Sequence, residues 1–286
     1  MAQPRAVSSR YADLQVFCWA SGGVWSVGFF GKNNCRGFLL AVMLSAIVAP
    51  RAATAFMVDW DTVAWPGGTG NLTNTYVNVD ASAWDVQVQL IDPDSNLVQI
   101  PDASPAAPST NTHLDPPTNT GDNLFVRADT NGGGAGITIR FDFTHSTLTD
   151  VTNITLSLFD VDTSDAPSTQ WIDNISITGY QSGGGSVLPD SVVSPTGTPT
   201  WTYNALTGVL LGDVTQGNAG NTDDNGTAVV TFNGPIAAIE FTYLNDFAPG
   251  GNQWIAFSDV AFVPEPNTFL LMSLGLIGLS IRRRRV

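Results

Sequence analysis

Four aspartates near the middle of the chain are the side chains best suited to holding a metal ion. Asp160, Asp162 and Asp165 lie close together in sequence, and Asp173 follows on the next predicted strand. Residues two apart on a strand share a face, so a returning strand could place Asp173 beside Asp160 and Asp162. Calcium gathers oxygen ligands at about 2.3–2.6 Å, and short loop carboxylates can supply them. The spacing therefore predicts a calcium site, with solvated turn aspartates as the alternative.

Two further loops, at residues 92–96 and 221–226, are also rich in oxygen ligands. The second resembles the opening of an EF-hand calcium loop. Counted from Asn221, however, its twelfth position is Phe232, where that loop requires a bidentate glutamate. Asn-Gly is also a strong signal for a hairpin turn. We therefore interpret both loops as turns.

Catalytic signatures are absent from the sequence. It contains no G-x-S-x-G, H-E-x-x-H or P-loop motif, and its histidines are His113 and His145. A pair of carboxylates could support glycoside hydrolysis. Glutamate, the usual acid in that reaction, is represented between residues 59 and 259 by Glu240 alone. We therefore predict that the protein is not an enzyme, with a glycosidase as a rival interpretation.

Aromatic side chains give a modest case for carbohydrate binding, because an exposed ring can stack on the apolar face of a sugar. Trp171 lies beside the aspartate cluster and Trp254 follows a Gly-Gly-Asn-Gln turn, so they are the first candidates. Core packing is the default for tryptophan in a strand. Threonines alternate in residues 196–202, a pattern that could also suit ice binding, although Pro199 disturbs the strand.

Apolar and polar residues alternate with a period of two between the two ends of the chain. This period is typical of half-buried strands, and turns rich in Gly, Asn and Asp separate the segments. No helical period is evident there, so we predict an all-β, antiparallel, jelly-roll-like sandwich with a surface loop at 101–123. The predicted strands are 73–79, 84–90, 123–128, 137–143, 154–158, 171–179, 201–211, 227–233, 239–243 and 253–262.

Charge divides the 286 residues into an acidic middle and two basic ends. The chain has 11 Lys+Arg against 25 Asp+Glu, a formal net charge of −14. All acids except Asp13 and Glu265 lie between residues 59 and 259, where Arg127 and Arg140 are the only Arg or Lys residues. Phosphate recognition needs a basic face, so this balance excludes a nucleic-acid partner.

The leading segment has the organisation of a secretory signal peptide. A basic stretch precedes an apolar run at 37–48, and small residues follow, ending in Ala53-Thr54-Ala55. We predict that signal peptidase recognises Ala53 and Ala55 and cleaves after Ala55, so that residues 1–55 are a leader. Both cysteines lie in this leader, which leaves the exported product without a thiol for a disulfide or a metal.

The C-terminal segment has three features in a fixed order. A Val-Pro-Glu-Pro sequence is followed by an apolar run at 269–281 and an arginine cluster. The residues concerned are Val263, Pro264, Glu265 and Pro266, and then Arg282, Arg283, Arg284 and Arg285. The apolar run makes a helix of about 20 Å, shorter than the hydrocarbon core of about 30 Å. We predict a short transmembrane helix that anchors transiently in the inner membrane, with the arginines as a cytoplasmic stop signal.

This order resembles the PEP-CTERM sorting signal of bacterial envelope proteins, over residues 263–286 only. The resemblance implies that an exosortase recognises the tail, cuts near the Pro-Glu-Pro motif and passes the protein to the cell surface or exopolysaccharide matrix. We therefore expect residues 56–262 to be the exported domain, with a non-enzymatic structural or binding role. A calcium-dependent carbohydrate-binding module that contacts exopolysaccharide is the alternative. Similar tails also occur on some ice-binding proteins.

Overall fold

A computed structural model describes residues 15–21, 24–30, 54–66, 70–97, 107–114, 116–117, 121–129, 136–164, 171–220, 223–245 and 252–265. The chain forms two compact units, one spanning Ala53–Pro266 and the other combining Met1–Ala52 with Asn267–Val286. In the second unit, strands β1 (Gln15–Ser21) and β2 (Val24–Phe30) form an antiparallel hairpin. The apolar runs of the predicted signal peptide and of the predicted tail helix lie outside the described residues. Within the described ranges, no helix is long and apolar enough to cross a membrane.

The unit Ala53–Pro266 is built from short antiparallel strands, as the period of two predicts. In chain order they are β3 (Phe56–Val58), β4 (Thr73–Tyr76), β5 (Trp84–Ile91), β6 (Ser109–Asn111), β7 (Asn123–Asp129), β8 (Ile137–His145), β9 (Val151–Phe159), β10 (Thr163–Ser164), β11 (Trp171–Tyr180), β12 (Ser186–Val187), β13 (Ser191–Val193), β14 (Trp201–Asn204), β15 (Val209–Gly212), β16 (Ala228–Phe232), β17 (Ala238–Asn245), β18 (Asn252–Phe257) and β19 (Val260–Pro264). Single 3-10 turns occur at Val79–Ala81 and Asp224–Gly226.

These strands form two sheets packed as a sandwich. The first sheet has the order β14-β15-β11-β17-β8-β5-β4, with β10 and β12 also paired to β11. The second has the order β13-β16-β9-β18-β7-β6, and β19 joins it beside β9 and pairs with β3. The late strand β17 lies between β8 and β11, and β18 lies between β7 and β9. This insertion is the strand arrangement of a jelly roll and confirms the predicted fold class.

The inward faces of the two sheets share one hydrophobic core. On β8 the inward side chains Ile137, Ile139 and Phe141 are fully buried, while the residues between them are half-buried. Phe141 contacts Phe241 of its own sheet and Phe257 of the other, with ring centroids 6.1 and 5.8 Å apart. Burying one such side chain stabilises the fold by about 1.5–3 kcal/mol, so the alternation observed in the sequence fixes which face is inside.

Two predicted strands are each divided in the structure. The stretch 201–211 forms the hairpin β14–β15, because a turn at Ala205–Gly208 reverses the chain and Gly208 adopts a φ of +72°. The stretch 253–262 breaks between β18 and β19 at Ser258 and Asp259. Because each of these stretches forms two strands, the sequence predicts too few strands.

The prediction of a surface loop at 101–123 is wrong for its middle part. Residues 109–111 form β6, and Ala107 and Leu114 are fully buried. They pack on the outer face of the second sheet against Phe125 and Phe159, in a cluster separate from the main core. These outward side chains are apolar, so a segment that covers them and excludes water stabilises the fold.

The threonine run 196–202 does not form the flat strand face that ice binding requires. Residues 194–200 are irregular; Thr196 bonds to Ser194, and Thr198 donates its backbone N–H and its hydroxyl to the Thr196 hydroxyl oxygen. Thr200 is buried and donates its hydroxyl hydrogen bond to the Val161 carbonyl at 2.8 Å. This local geometry offers no regular threonine array.

Candidate functional site

The predicted aspartate cluster is assembled where the chain leaves β9 and returns as β11. Asp160 follows the end of β9 with a φ of +67°, so the chain turns there and Asp160 and Asp162 do not continue one strand face. The short strand β10 then pairs with the start of β11, and this pairing places Asp162 beside Asp173. Asp165 lies outside the described residues. We call Asp162 and Asp173, both buried, the acidic pair.

Each carboxylate oxygen of the acidic pair accepts a hydrogen bond from the protein. The two oxygens of Asp173 accept from the Asp162 backbone N–H at 3.0 Å and from the Tyr243 hydroxyl at 2.6 Å. Those of Asp162 accept from the Trp171 indole N–H at 3.0 Å and from the Ala219 backbone N–H at 2.7 Å. The pair therefore joins β11 to β17, to the end of β9 and to the loop before β16.

Burial shifts the titration of these acids toward the neutral form. It raises the pKa of Asp162 to about 6, although the hydrogen bonds from Trp171 and Ala219 oppose the shift. Burial, and then the nearby charge of Asp162, raise the pKa of Asp173 well above its ordinary value. The same two causes raise the pKa of Asp160. Because their pKa values are raised, these neighbouring acids ionise less readily than acids of ordinary pKa.

These shifts predict that the protein is more stable in mild acid than at neutral pH. An acid whose pKa is higher in the folded chain than in the unfolded chain holds its proton longer when folded. Its stabilising contribution is complete below about pH 4 and is lost as the pH rises through about 6, which for Asp162 amounts to about 2–3 kcal/mol. Urea unfolding between pH 4.5 and 7.5 measures this effect. An unfolding free energy that rises with pH over this range contradicts it.

The predicted calcium site is not completed by the described carboxylates. Within the described ranges, no group of three or more His, Cys, Asp or Glu side chains is arranged to hold a metal ion. All four oxygens of the acidic pair already accept hydrogen bonds, whereas calcium needs several oxygens aimed at one point. Calcium binding at this cluster stays a prediction.

The structure does not bring Trp171 and Trp254 together on one surface. Trp171 begins β11 in the first sheet, and its indole N–H is used by Asp162. Trp254 lies on β18 in the second sheet, where His113 packs 4.7 Å from its ring and the Arg127 guanidinium lies 5.8 Å from it. Both rings are half-buried, so a two-tryptophan platform for a sugar is not formed.

A cavity of about 460 Å³ lies beside β3 and β4, and the residues that line it include Asp59 and Asp80. Asp59 accepts a hydrogen bond from the Asp61 backbone N–H at 2.9 Å, which closes a local turn. Met57, Val63 and Tyr76 make much of the remaining wall apolar. Two of the residues that line the cavity are acidic, and none of them is basic.

A row of polar side chains crosses the outer face of the first sheet. Gln87 donates to Thr75 at 3.2 Å, and Gln89 donates to Gln87 at 2.6 Å and to Asp142 at 3.2 Å. Arg140 bonds to Asp142 at 2.7–2.9 Å and to Glu240, and Tyr180 donates to Glu240 at 2.7 Å. We call these residues the polar row: Thr75, Gln87, Gln89, Asp142, Arg140, Glu240 and Tyr180. Sequence reasoning missed it, although every member except Tyr180 occupies a polar position of a predicted strand.

The Val-Pro-Glu-Pro sequence begins on the last strand of the sandwich. Val263 and Pro264 pair with β9, and Thr152 donates its hydroxyl hydrogen bond to the Val263 carbonyl at 3.3 Å. The Glu265 backbone N–H donates to the Asp150 carbonyl at 3.4 Å. Burial, and then the charge of Asp150, raise the pKa of Glu265. Pro266 and the arginine cluster lie outside the described residues.

Comparison with known families identifies this C-terminal segment. The family model described as the PEP-CTERM protein-sorting motif matches residues 262–285. The motif indicates sorting by an exosortase system to the cell surface. No curated protein and no solved structure matches the chain.

Proposed function

We propose that this PEP-CTERM protein has a non-enzymatic structural or binding role at the cell surface or in the exopolysaccharide matrix. The observation that carries the proposal is the sorting motif at the end of an all-β sandwich domain. In this proposal signal peptidase removes the leader after Ala55, and an exosortase then processes the tail near Pro264–Pro266. The tail anchors the precursor in the inner membrane only until that step.

The position of the two processing sites supports this route. Strand β3 begins directly after Ala55 and pairs antiparallel with β19, so that Phe56 lies opposite Phe262. Their rings are 6.0 Å apart. Because Ala55 precedes Phe56 and Val263 follows Phe262, both predicted cleavage regions leave the domain at the same place. A domain attached at one edge can remain folded while both ends are processed.

The charge of the domain limits which matrix partners it can bind. Between residues 59 and 259 the acids outnumber Arg127 and Arg140 by far, so the domain is strongly negative. Such charge keeps a protein soluble and repels it from anionic surfaces. A matrix partner is therefore neutral, or is bridged by cations.

The proposal is tested by locating the protein in cells that make an exopolysaccharide matrix. Cytosol, inner membrane, washed cell surface and extracted matrix are separated, and the protein is quantified in each with an antibody against the domain. We expect most of it on the surface and in the matrix, and a shift to the inner membrane in cells without exosortase. A protein that remains cytosolic in both strains contradicts the proposal.

Calcium dependence is a second proposal, and Asp160, Asp162, Asp165 and Asp173 are its ligands. If calcium binds only the folded protein, saturation at a hundredfold excess over Kd stabilises it by about 2.7 kcal/mol. We then expect melting of the chelated protein to rise by several degrees with calcium, and Asp165→Ala to remove the rise. Asp94→Ala, in an exposed turn, is the control. No rise with calcium ends this proposal.

A further inference from the structure

The polar row lies on the outer face of the first sheet, where its side chains remain partly exposed. Its members come from β4, β5, β8, β17 and β11, five adjacent strands, so the row spans about 19 Å across the sheet. The outer face of the second sheet is instead covered by the cluster around Ala107, Leu114 and Phe125. The side chains of Arg140, Asp142 and Glu240 remain 28%, 21% and 21% exposed. Their remaining lone pairs and N–H groups can therefore be reached from solvent.

The hydrogen bonds within the row fix its side chains before any ligand arrives. Arg140 is held by Asp142 and Glu240, and its guanidinium lies 5.4 Å from the ring of Tyr180. Gln89 is held by Gln87 and Asp142. Side chains that are already ordered lose less conformational entropy on binding, which favours affinity. The row is thus a preorganised line of alternating donors and acceptors.

This chemistry matches the hydroxyl groups of a neutral polysaccharide. Each sugar hydroxyl both donates and accepts, and hydrogen bonds to ionised partners such as Asp142 and Glu240 are the stronger ones. Anionic chains are disfavoured, because Arg140 is already neutralised by two carboxylates and the domain around it is strongly negative. Nucleic acid is disfavoured for the same reason.

We propose that the polar row is a binding site for a neutral polysaccharide chain lying across β4, β5, β8, β17 and β11. The inference rests on the proposed function, since this contact holds the sorted protein in the matrix. Arg140 is its central residue, because it fixes the carboxylates on both sides. Removing Arg140 releases Asp142 and Glu240 and leaves two mutually repelling charges facing the ligand.

The test is affinity electrophoresis of the full chain in a detergent without a sugar headgroup. Native gels contain dextran, laminarin or mannan as neutral probes and alginate as the anionic probe. The variants are Arg140→Gln and the uncharged double change Gln87→Ala/Gln89→Ala. Arg127→Gln is the matched control, because it makes the same charge change on the other sheet. Thermal melting verifies that each variant is folded.

We expect at least one neutral glycan, and not alginate, to retard the wild-type protein. Arg140→Gln should weaken that binding by about tenfold or more, whereas Arg127→Gln leaves it within about twofold. In cells, Arg140→Gln should still reach the surface and then wash off. A folded wild-type protein retarded by no neutral glycan, or by alginate equally, overturns the inference, as does unchanged binding in both polar-row variants. A wild-type protein absent from the surface instead contradicts the proposed function.

Discussion

Asp173→Ala is expected to lower the free energy of unfolding by about 2–6 kcal/mol. Asp173 is buried near the start of β11 and accepts from both the Asp162 backbone N–H and the Tyr243 hydroxyl. Alanine leaves these two buried donors without an acceptor, and each unsatisfied group costs about 1–3 kcal/mol. Urea unfolding of the full chain, followed by tryptophan fluorescence, measures the loss.

Asp173→Asn separates the hydrogen bonds of Asp173 from its charge. Its amide oxygen can still accept from the Asp162 backbone N–H, and its amide N–H can donate to the Tyr243 oxygen once that hydroxyl rotates its hydrogen away. We expect this variant to keep most of the stability that alanine loses and to flatten the decline between pH 4.5 and 7.5. Asp94→Asn makes the same charge change in an exposed turn and should do neither. Equal stability of Asp173→Ala and wild type would show that the pair is not structural.

Replacing Glu265 and Pro266 by alanine is expected to give the largest effect on localisation. The two residues lie in the segment that matches the sorting motif, and they follow the last strand of the domain. We expect most of the protein to move from the cell surface to the inner membrane as an uncleaved precursor. The fold of the domain should not change, since β19 ends at Pro264.

The matched control for this variant is the double change Asn267→Ala/Thr268→Ala. It alters the next two residues of the same tail without touching the Pro-Glu-Pro sequence. Fractionation followed by immunoblotting should show this control at the surface in the wild-type amount. Normal surface delivery of the Glu265→Ala/Pro266→Ala variant would mean that the motif does not direct sorting.

The strands were predictable because one face of each is buried. Ile137, Ile139 and Phe141 alternate with polar residues, and a shift of one position would expose all three. The sorting motif was predictable for a different reason, since its features follow one another in the sequence and need no fold to bring them together. Its first residues nevertheless belong to β19, which the sequence alone does not show.

The surroundings of the acidic pair were not predictable, because they depend on contacts between residues far apart in sequence. Asp162 and Asp173 were expected to meet, but their donors Tyr243 and Ala219 lie much later in the chain. The turn at Asp160 was not predicted either, because a positive φ is uncommon for residues other than glycine. The polar row could not be predicted from the individual strands, because it depends on the order of the strands in the sheet.

The termini of the protein recovered from the cell surface test the proposed export and processing most directly. Mass spectrometry of that material should show an N-terminus at Phe56 and a C-terminus near the Pro-Glu-Pro sequence, with the leader and the arginine cluster absent. The same protein should be missing from the cytosol. An intact chain that carries both ends and resides in the cytosolic fraction would contradict this processing.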